Sequence, residues 1–373
     1  MIKYLGSKRT LLPRLLELVA SASDPCTVLD LFSGTSRVGH ALKRAGYRVI
    51  ANDHNAYAHA LGTCYVQADA SRWSREAAML VAEFNAMPGR PGYFTSTFCE
   101  QARFFMPRNG ARVDAIRDAI ARKGLPRELE AIMLVSLMEA ADRVDSTTGL
   151  QMAYLKQWAP RALNDLTLRV PELLERPALG GCEAHGMEAA DAATMAADIA
   201  YVDPPYNQHS YLANYHVWET LVRWDAPATY GVARKREDCR TRKSPFNARR
   251  TFESALRTTL ASLAAPKVVI SFSDEGFLSR VAMESLIRDA LGPGTRLEVH
   301  DIAHRRYVGA QIGIHNPAGE KVGVVSHLVN REFFFVAERS GTKPAISGGD
   351  GGREDRVRQE GRRRDRAPAR PGR

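Results

Sequence analysis

Residues 27–32 (TVLDLF) form a short, continuous apolar run. It gives way at once to Ser33-Gly34-Thr35 and then to a helical pattern from Ser36 to Ala45. An apolar run of this length, closed by a glycine turn, reads as a buried strand, and the change of period after it marks a helix. A strand that feeds a helix must cross over to a parallel neighbour, so this unit commits the chain to a helix-covered parallel sheet. Residues 48–53 (RVIAND) repeat the theme. Residues 64–69 (CYVQAD) read as a third, weaker strand, and IAYVD at 199–203 and KVVISFS at 267–273 as two more. RLEVHDIAH and EFFFVAE, near the C-terminal end, supply the last two. Strands alternating with helices predict an α/β, Rossmann-like fold: a seven-stranded, mostly parallel sheet with helices on both faces.

Residues 94–188 break the rhythm. They carry helical patterns at 111–123 and 127–144 and no convincing strand. The expected organisation is one sheet domain built from 1–93 and 191–340, a helical insertion at 94–190, and a tail at 341–373. The tail is Gly, Pro, Arg and acid with almost no apolar residues, so it is expected to be disordered. The net charge of +10 is concentrated. Residues 231–250 hold eight basic and two acidic residues, and the tail ten and five, which points to a polyanion engaged locally. Tyr230 and Phe246 flank the internal stretch and are placed to stack on bases. No apolar run reaches about 18 residues, so no membrane span is expected. The start, MIKYLGSKRT, lacks an apolar signal core. Five scattered cysteines without a C-x-x-C pair argue against a zinc site or a disulfide framework and fit a reducing cytoplasm.

Three constellations carry chemistry. The turn after Asp30 lies at the carboxyl end of a parallel strand, where such sheets bind ligands, and Gly34 lets backbone approach a ligand closely. It matches neither G-x-x-x-x-G-K-[ST] nor G-x-G-x-x-G. Asp53 ends the next strand, about 20 residues further on, and suits ribose hydroxyls. Capping a helix that starts near Asn55 is its other reading. Asp203-Pro204-Pro205-Tyr206 ends a later strand. Two prolines remove two backbone donors and stiffen the loop. A carboxylate and exposed carbonyls can then converge on an amino group with two protons. They also stabilise the positive charge that its nitrogen gains on attacking an electrophilic methyl. Tyr206 offers an aromatic face to a planar base. His209 and His216 are seven apart and lack partner ligands, so a metal pair is not expected.

Taken in order, Lys3-Tyr4-Leu5-Gly6-Ser7-Lys8, then DLFSGT, Asp53, a long insertion, DPPY, and the late SFSDEG and RRYVG carry a resemblance. The chain resembles the Dam-like, alpha-class (DPPY-type) DNA adenine-N6 methyltransferases over about residues 1–340. The resemblance implies a methyltransferase fold whose helical insertion recognises the target. It implies methyl transfer from S-adenosylmethionine to the exocyclic amine of a flipped adenine in duplex DNA, with no metal. Tyr4 and Lys8 would contact the cofactor, Phe32 and Gly34 lie under its methionine part, Asp53 hold its ribose, and Asp69 sit near its adenine. Asp203, Pro204, Pro205 and Tyr206 would hold the target adenine, and Asp203 also reach the cofactor's methionine end. A cytoplasmic, nucleoid-associated enzyme of restriction-modification or orphan type is expected, with a cognate restriction endonuclease as a possible partner. Two positions depart from the pattern. Ser36 stands where a glycine is usual, and Asn207-Gln208-His209 follows DPPY where a basic residue is expected. The alternatives are an RNA amino-methyltransferase with the same loops and a non-catalytic DNA-binding protein on the same fold. The leading K-Y-x-G-S-K motif and the long span from Asp30 to Asp203 disfavour small RNA guanine enzymes, and the intact loops disfavour a decayed fold.

Overall fold

The computed structural model describes residues 1–6, 8–20, 26–305 and 329–339. The predicted disordered tail and most of RRYVG lie outside the described residues. The main sheet holds β1 (Thr27–Asp30), β2 (Arg48–Asn52), β3 (Glu183–His185), β4 (Ile199–Val202), β7 (Lys267–Ser273), β8 (Arg296–Arg305) and β9 (Val329–Glu338). A separate hairpin pairs β5 (Thr229–Tyr230) with β6 (Lys235–Arg236). The order in the main sheet is β3-β2-β1-β4-β7-β9-β8. The first five strands run parallel, while β9 is antiparallel to both its neighbours. This is the α/β, mostly parallel seven-stranded architecture read from the sequence.

Side chains alternate across the sheet with period two, and each face has its own core. Leu29, Val202, Ile270 and Phe335 point to one side, where the Arg249–Ser262 and Arg280–Leu291 helices cover them. Val28, Val49, Val269 and Phe334 point to the other, under Leu12–Ala20 and Arg37–Arg44. The inserted helices Pro107–Lys123 and Arg127–Arg143 build a third core. It is shared with Tyr57, Leu61, Trp73 and Phe84 of the first half and with Trp218 and Leu221 of the second. Arg127–Arg143 is buried nearly all round its middle, from Leu129 to Leu137, as a helix at the centre of such a core must be.

Two expectations are corrected. Residues 64–69 are not a strand: Thr63–Gln67 continues the Ala56–Gly62 helix as a wide helical turn. No glycine turn or proline interrupts the run, and an apolar run alone does not distinguish a buried helix from a buried strand. The third parallel strand is instead β3, inside the stretch read as strandless, where Ala184 pairs with Ala51. At three residues it is too short to leave a periodic trace.

The basic stretch is also used differently. The Arg236 guanidinium is buried and donates two 2.7 Å bonds to Asp225 and one of 3.1 Å to Asp238. Arg242 pairs with Glu219 at 3.1 Å, and Arg240 with Glu237 at 2.8 Å. Arg240 also covers the Tyr230 ring at 4.0 Å, and Phe246 is buried. Much of this segment's charge therefore folds the hairpin region rather than lying open. Among the described residues no helix is long and apolar enough to cross a membrane.

Candidate active site

The carboxyl ends of β1, β2 and β4 meet at one edge. The Leu31 amide donates to the Tyr201 carbonyl at 3.0 Å, and the Ser33 amide to the Asn52 carbonyl at 2.9 Å. The chain then closes a turn, with Ser36 N–H bonded to the Ser33 carbonyl at 2.6 Å. Gly34 (φ 49°) and Ser36 (φ 57°) both adopt left-handed backbone. A Cβ at position 34 would also stand 3.3 Å from the Tyr4 ring, so this position needs glycine twice over. Ser36, fully buried, takes the same backbone region at the cost of Cβ crowding. That strain gives the physical reason a glycine suits position 36.

Asp53 ties the first turn to the second strand. One carboxylate oxygen accepts from Gly34 N–H at 3.1 Å, the other from Asn55 N–H at 2.9 Å and its side-chain amide at 3.1 Å. The first oxygen keeps a lone pair for a further donor, while the second already accepts two bonds. Its neighbour Asn52 was not singled out in the sequence, yet it stitches three loops. Its amide donates to the carbonyls of Leu31 and Met187, both at 3.2 Å, and accepts from Met187 N–H at 3.0 Å.

Tyr4 enters from the N-terminal segment and joins a cluster of three nearly parallel rings. Its ring lies 5.1 Å from Tyr211 and 4.6 Å from Tyr215, each at 13°. Burial pushes its phenol well above the usual value, reinforced by the neighbouring Tyr57. The stack fixes the N-terminal segment against the chain that follows the DPPY loop.

Asp203 stands at the end of β4 beside a buried cation. The Lys8 ammonium is 3.2 Å from the Asp203 carboxylate and also contacts Glu332 on β9. Ser271 on β7 donates to the same Glu332 oxygen at 2.7 Å. Burial raises the Asp203 carboxyl to about 6, Lys8 pulls it down and Glu332 pushes it up. Burial would lower the Lys8 pKa, but the charges of Asp203 and Glu332 hold it well above the ordinary lysine value. One strand away, burial raises Asp30 to about 8, helped by the charge of Asp203 and opposed by a 3.1 Å bond from Gly39 N–H. Pro204 is buried, and the Tyr206 carbonyl accepts from Phe277 N–H at 3.1 Å. The half-buried Tyr206 ring meets Phe272 edge-on at 5.6 Å.

Tyr4, Lys8, Phe32, Gly34, Asp53, Asp203 and Pro205 line a single cleft. Asp69 does not. It caps the Ala70–Ala86 helix, accepting from Ser71 N–H at 3.0 Å and the Ser71 hydroxyl at 2.8 Å. Its expected place near the cofactor's adenine came from the family resemblance. Beyond the true third strand, Met187 and Glu188 reach the cleft instead. The sequence reading gave the segment 242–247 to a polyanion and not to this cleft, yet its Phe246 meets Phe32 edge-on at 5.2 Å and walls the cleft. Its aromatic residue among cations was visible, but its burial depends on the Arg249–Ser262 helix, where Phe252 packs on it. Asn247 donates to the carbonyls of Asn207 and His209 at 2.9 and 3.0 Å, holding the chain after DPPY against this wall.

A family model described as D12 class N6 adenine-specific DNA methyltransferase matches residues 4–285. The modification methylase StsI of Streptococcus sanguinis is 27% identical over 329 residues, covering 82% of this chain and 49% of its own. The type II methyltransferase M.FokI of Planomicrobium okeanokoites is 27% identical over 332 residues, with 82% and 50% covered. M.NlaIII of Neisseria lactamica is 30% identical over 263 residues, with 67% and 75% covered. The chain thus spans about half the length of the first two of these relatives. With a parallel sheet whose strand ends bring Gly34, Asp53 and Asp203 into one cleft, and with this match across most of its length, the chain belongs to the D12 class of N6 adenine-specific DNA methyltransferases.

Proposed function

We propose that the chain transfers a methyl group from S-adenosylmethionine to the exocyclic N6 amine of adenine in duplex DNA. The observation that carries this reading is the Asp203 carboxylate at the sheet's ligand edge, in the same cleft as Gly34 and Asp53. The cleft mixes a carboxylate, Asp53, with the aromatic faces of Phe32 and Phe246, a lining that suits a nucleoside carrying a cation. S-adenosylmethionine supplies there a methyl group on a sulfonium, which is electrophilic without any metal. Asp53 receives ribose hydroxyls, Gly34 admits the ligand close to backbone, and Tyr4 and Phe32 flank it. The target base leaves the duplex stack to reach Asp203. Tyr206 gives it an aromatic face, and Asp203 with the proline-loop carbonyls accepts hydrogen bonds from the two amine N–H groups. The amine's lone pair forms the new N–C bond as the methyl's bond to sulfur breaks, with that electron pair left on sulfur. The proton shed by nitrogen passes to Asp203 or to water. Catalysis is then positioning and charge stabilisation.

The helical region 94–190, which also carries β3, serves in this reading as the target-recognition insertion, and the partner is duplex DNA. The names of the relatives support a modification role; a cognate restriction endonuclease as partner and a place in the cytoplasm at the nucleoid belong to the same proposal. Sequencing methylation marks in DNA from cells expressing the chain tests the reading. N6-methyladenine in one recurrent sequence is the expected result. Marks confined to RNA or to cytosine would overturn it. The cofactor contact is tested separately. Asp53→Ala should weaken S-adenosylmethionine binding by about 1.5–3 kcal/mol, the scale of charge-assisted hydrogen bonds. Unchanged affinity by calorimetry removes Asp53 from the binding set.

A further inference from the structure

We propose that Glu332 is a positioning residue for methyl transfer: it holds Lys8 on Asp203 and leaves the cluster with one net negative charge facing the cleft. The inference rests on the reading of Asp203 as the acceptor for the target amine. Glu332 lies beyond the residues 4–285 matched by the family model.

The geometry is a chain of three charges. Lys8, from the N-terminal turn, is buried between Asp203 at the end of β4 and Glu332 on β9. Ser271 on β7 secures the far end by its 2.7 Å bond to Glu332. An ammonium has three protons and no acceptor. With Asp203 as its sole partner, Lys8 would form a neutral pair with that carboxylate. A neutral pair does little for an amine that is becoming cationic. Glu332 takes part of the ammonium's charge and adds a second carboxylate, so one positive charge faces two negative ones. In a buried setting that surplus acts over several ångströms with little screening. As a purely stabilising device such a cluster is a poor choice, because desolvation offsets most of its Coulomb gain.

The groups facing Asp203 define what a pH profile reads. They are Lys8, Glu332 on β9, Tyr201 on β4, Asp30 on β1, and Tyr206 and Tyr211 on the chain that follows. The tyrosines are all raised from their ordinary values and Lys8 is held well above its own, while Asp30 keeps its proton up to about pH 8. An acid limb of the rate is therefore expected near pH 6, where it would report Asp203.

Glu332→Gln keeps the shape and an acceptor oxygen for Lys8 and Ser271 but removes the charge. Single-turnover methyl transfer on duplex DNA, at saturating S-adenosylmethionine, should slow about 10- to 100-fold, with cofactor affinity held within about twofold. The acid limb should move to lower pH, because the Glu332 charge holds the Asp203 carboxyl up. A merely structural role would lower thermal stability and leave the limb in place. The wild-type rate with an unmoved limb overturns the inference. Should Glu332→Gln fail to fold, Lys8→Met decides. Its acid limb should lie above that of Lys8→Met/Glu332→Gln, in which Asp203 no longer faces a second carboxylate; equal limbs in the two variants overturn the inference. Asp203→Ala separates this from the parent reading. A dead Asp203→Ala beside an unaffected Glu332→Gln rejects Glu332 alone, whereas an active Asp203→Ala rejects the reading beneath it.

Discussion

Asp203→Ala should slow single-turnover methyl transfer about 10²- to 10³-fold, the cost of losing one preorganised group at a centre of developing charge. Cofactor affinity should fall far less, because Asp53 and the Gly34 turn remain. The reason lies in the placement of the carboxylate. It ends β4, a strand flanked by β1 and β7, and its position is set by the sheet as well as by its own loop. Lys8 does not collapse into the gap, since Glu332 still holds it. Tyr206 is untouched and can still face the flipped base, so DNA affinity should fall less than rate. Asp203→Asn keeps one acceptor oxygen and should be the milder variant. The decisive measurement is the rate with both substrates bound. Transfer at the wild-type rate would reduce the DPPY loop to a structural turn.

Between about pH 6.5 and 8 the wild-type protein should lose stability at about 1.4 kcal/mol per pH unit, and Asp30→Asn should abolish most of that slope. Asp30 is raised from 3.8 to about 8 by burial and by the charge of Asp203. A carboxyl raised in the folded state keeps its proton where the unfolded chain has lost it. Its stabilisation is therefore complete below the unfolded pKa and disappears as pH rises through the folded value. Asp203, raised to about 6, acts in the same direction but has titrated by the start of this window. His216, buried and lowered to about 3, acts in the opposite direction and only below its unfolded pKa. Asparagine keeps an acceptor for Gly39 N–H and cannot ionise. Denaturant unfolding of both proteins at pH 6.5 and 8 tests this. An equal slope in Asp30→Asn would mean that Asp30 is already ionised in the fold.

The parts of the site legible in the sequence are those whose physics is local. β1, β2, β4 and β7 are buried on both faces and so appear as unbroken apolar runs, each followed by its loop. Gly34, Asp53 and Asp203 could be read because a parallel sheet collects ligands at those loops. What escaped depends on distant contacts. Residues 64–69 have the composition of a strand and became helical because the preceding helix runs on into them. The same helical run leaves Asp69 capping the next helix, away from the cleft. Phe246 was read as a base-stacking residue of the basic stretch, and only the folded chain packs it between Phe32 and Phe252. Glu332 gave no signal, because no pattern within β9 reveals a lysine near the other end of the chain.

The contact between Lys8 and Glu332 joins residues 324 positions apart. Domains form during synthesis from the N-terminus, at about 5–20 residues per second. A nascent chain therefore carries the glycine turn, both acids of the cleft and the DPPY loop well before β9 has left the ribosome. Until then Lys8 has a single carboxylate partner, β7 has an open edge, and the charge set at the cleft is incomplete. Closing so long a loop costs only slightly more entropy than closing one half its length, so the delay is one of order rather than of free energy. The last described strand to be made is thus the one that completes the cluster begun by the first residues.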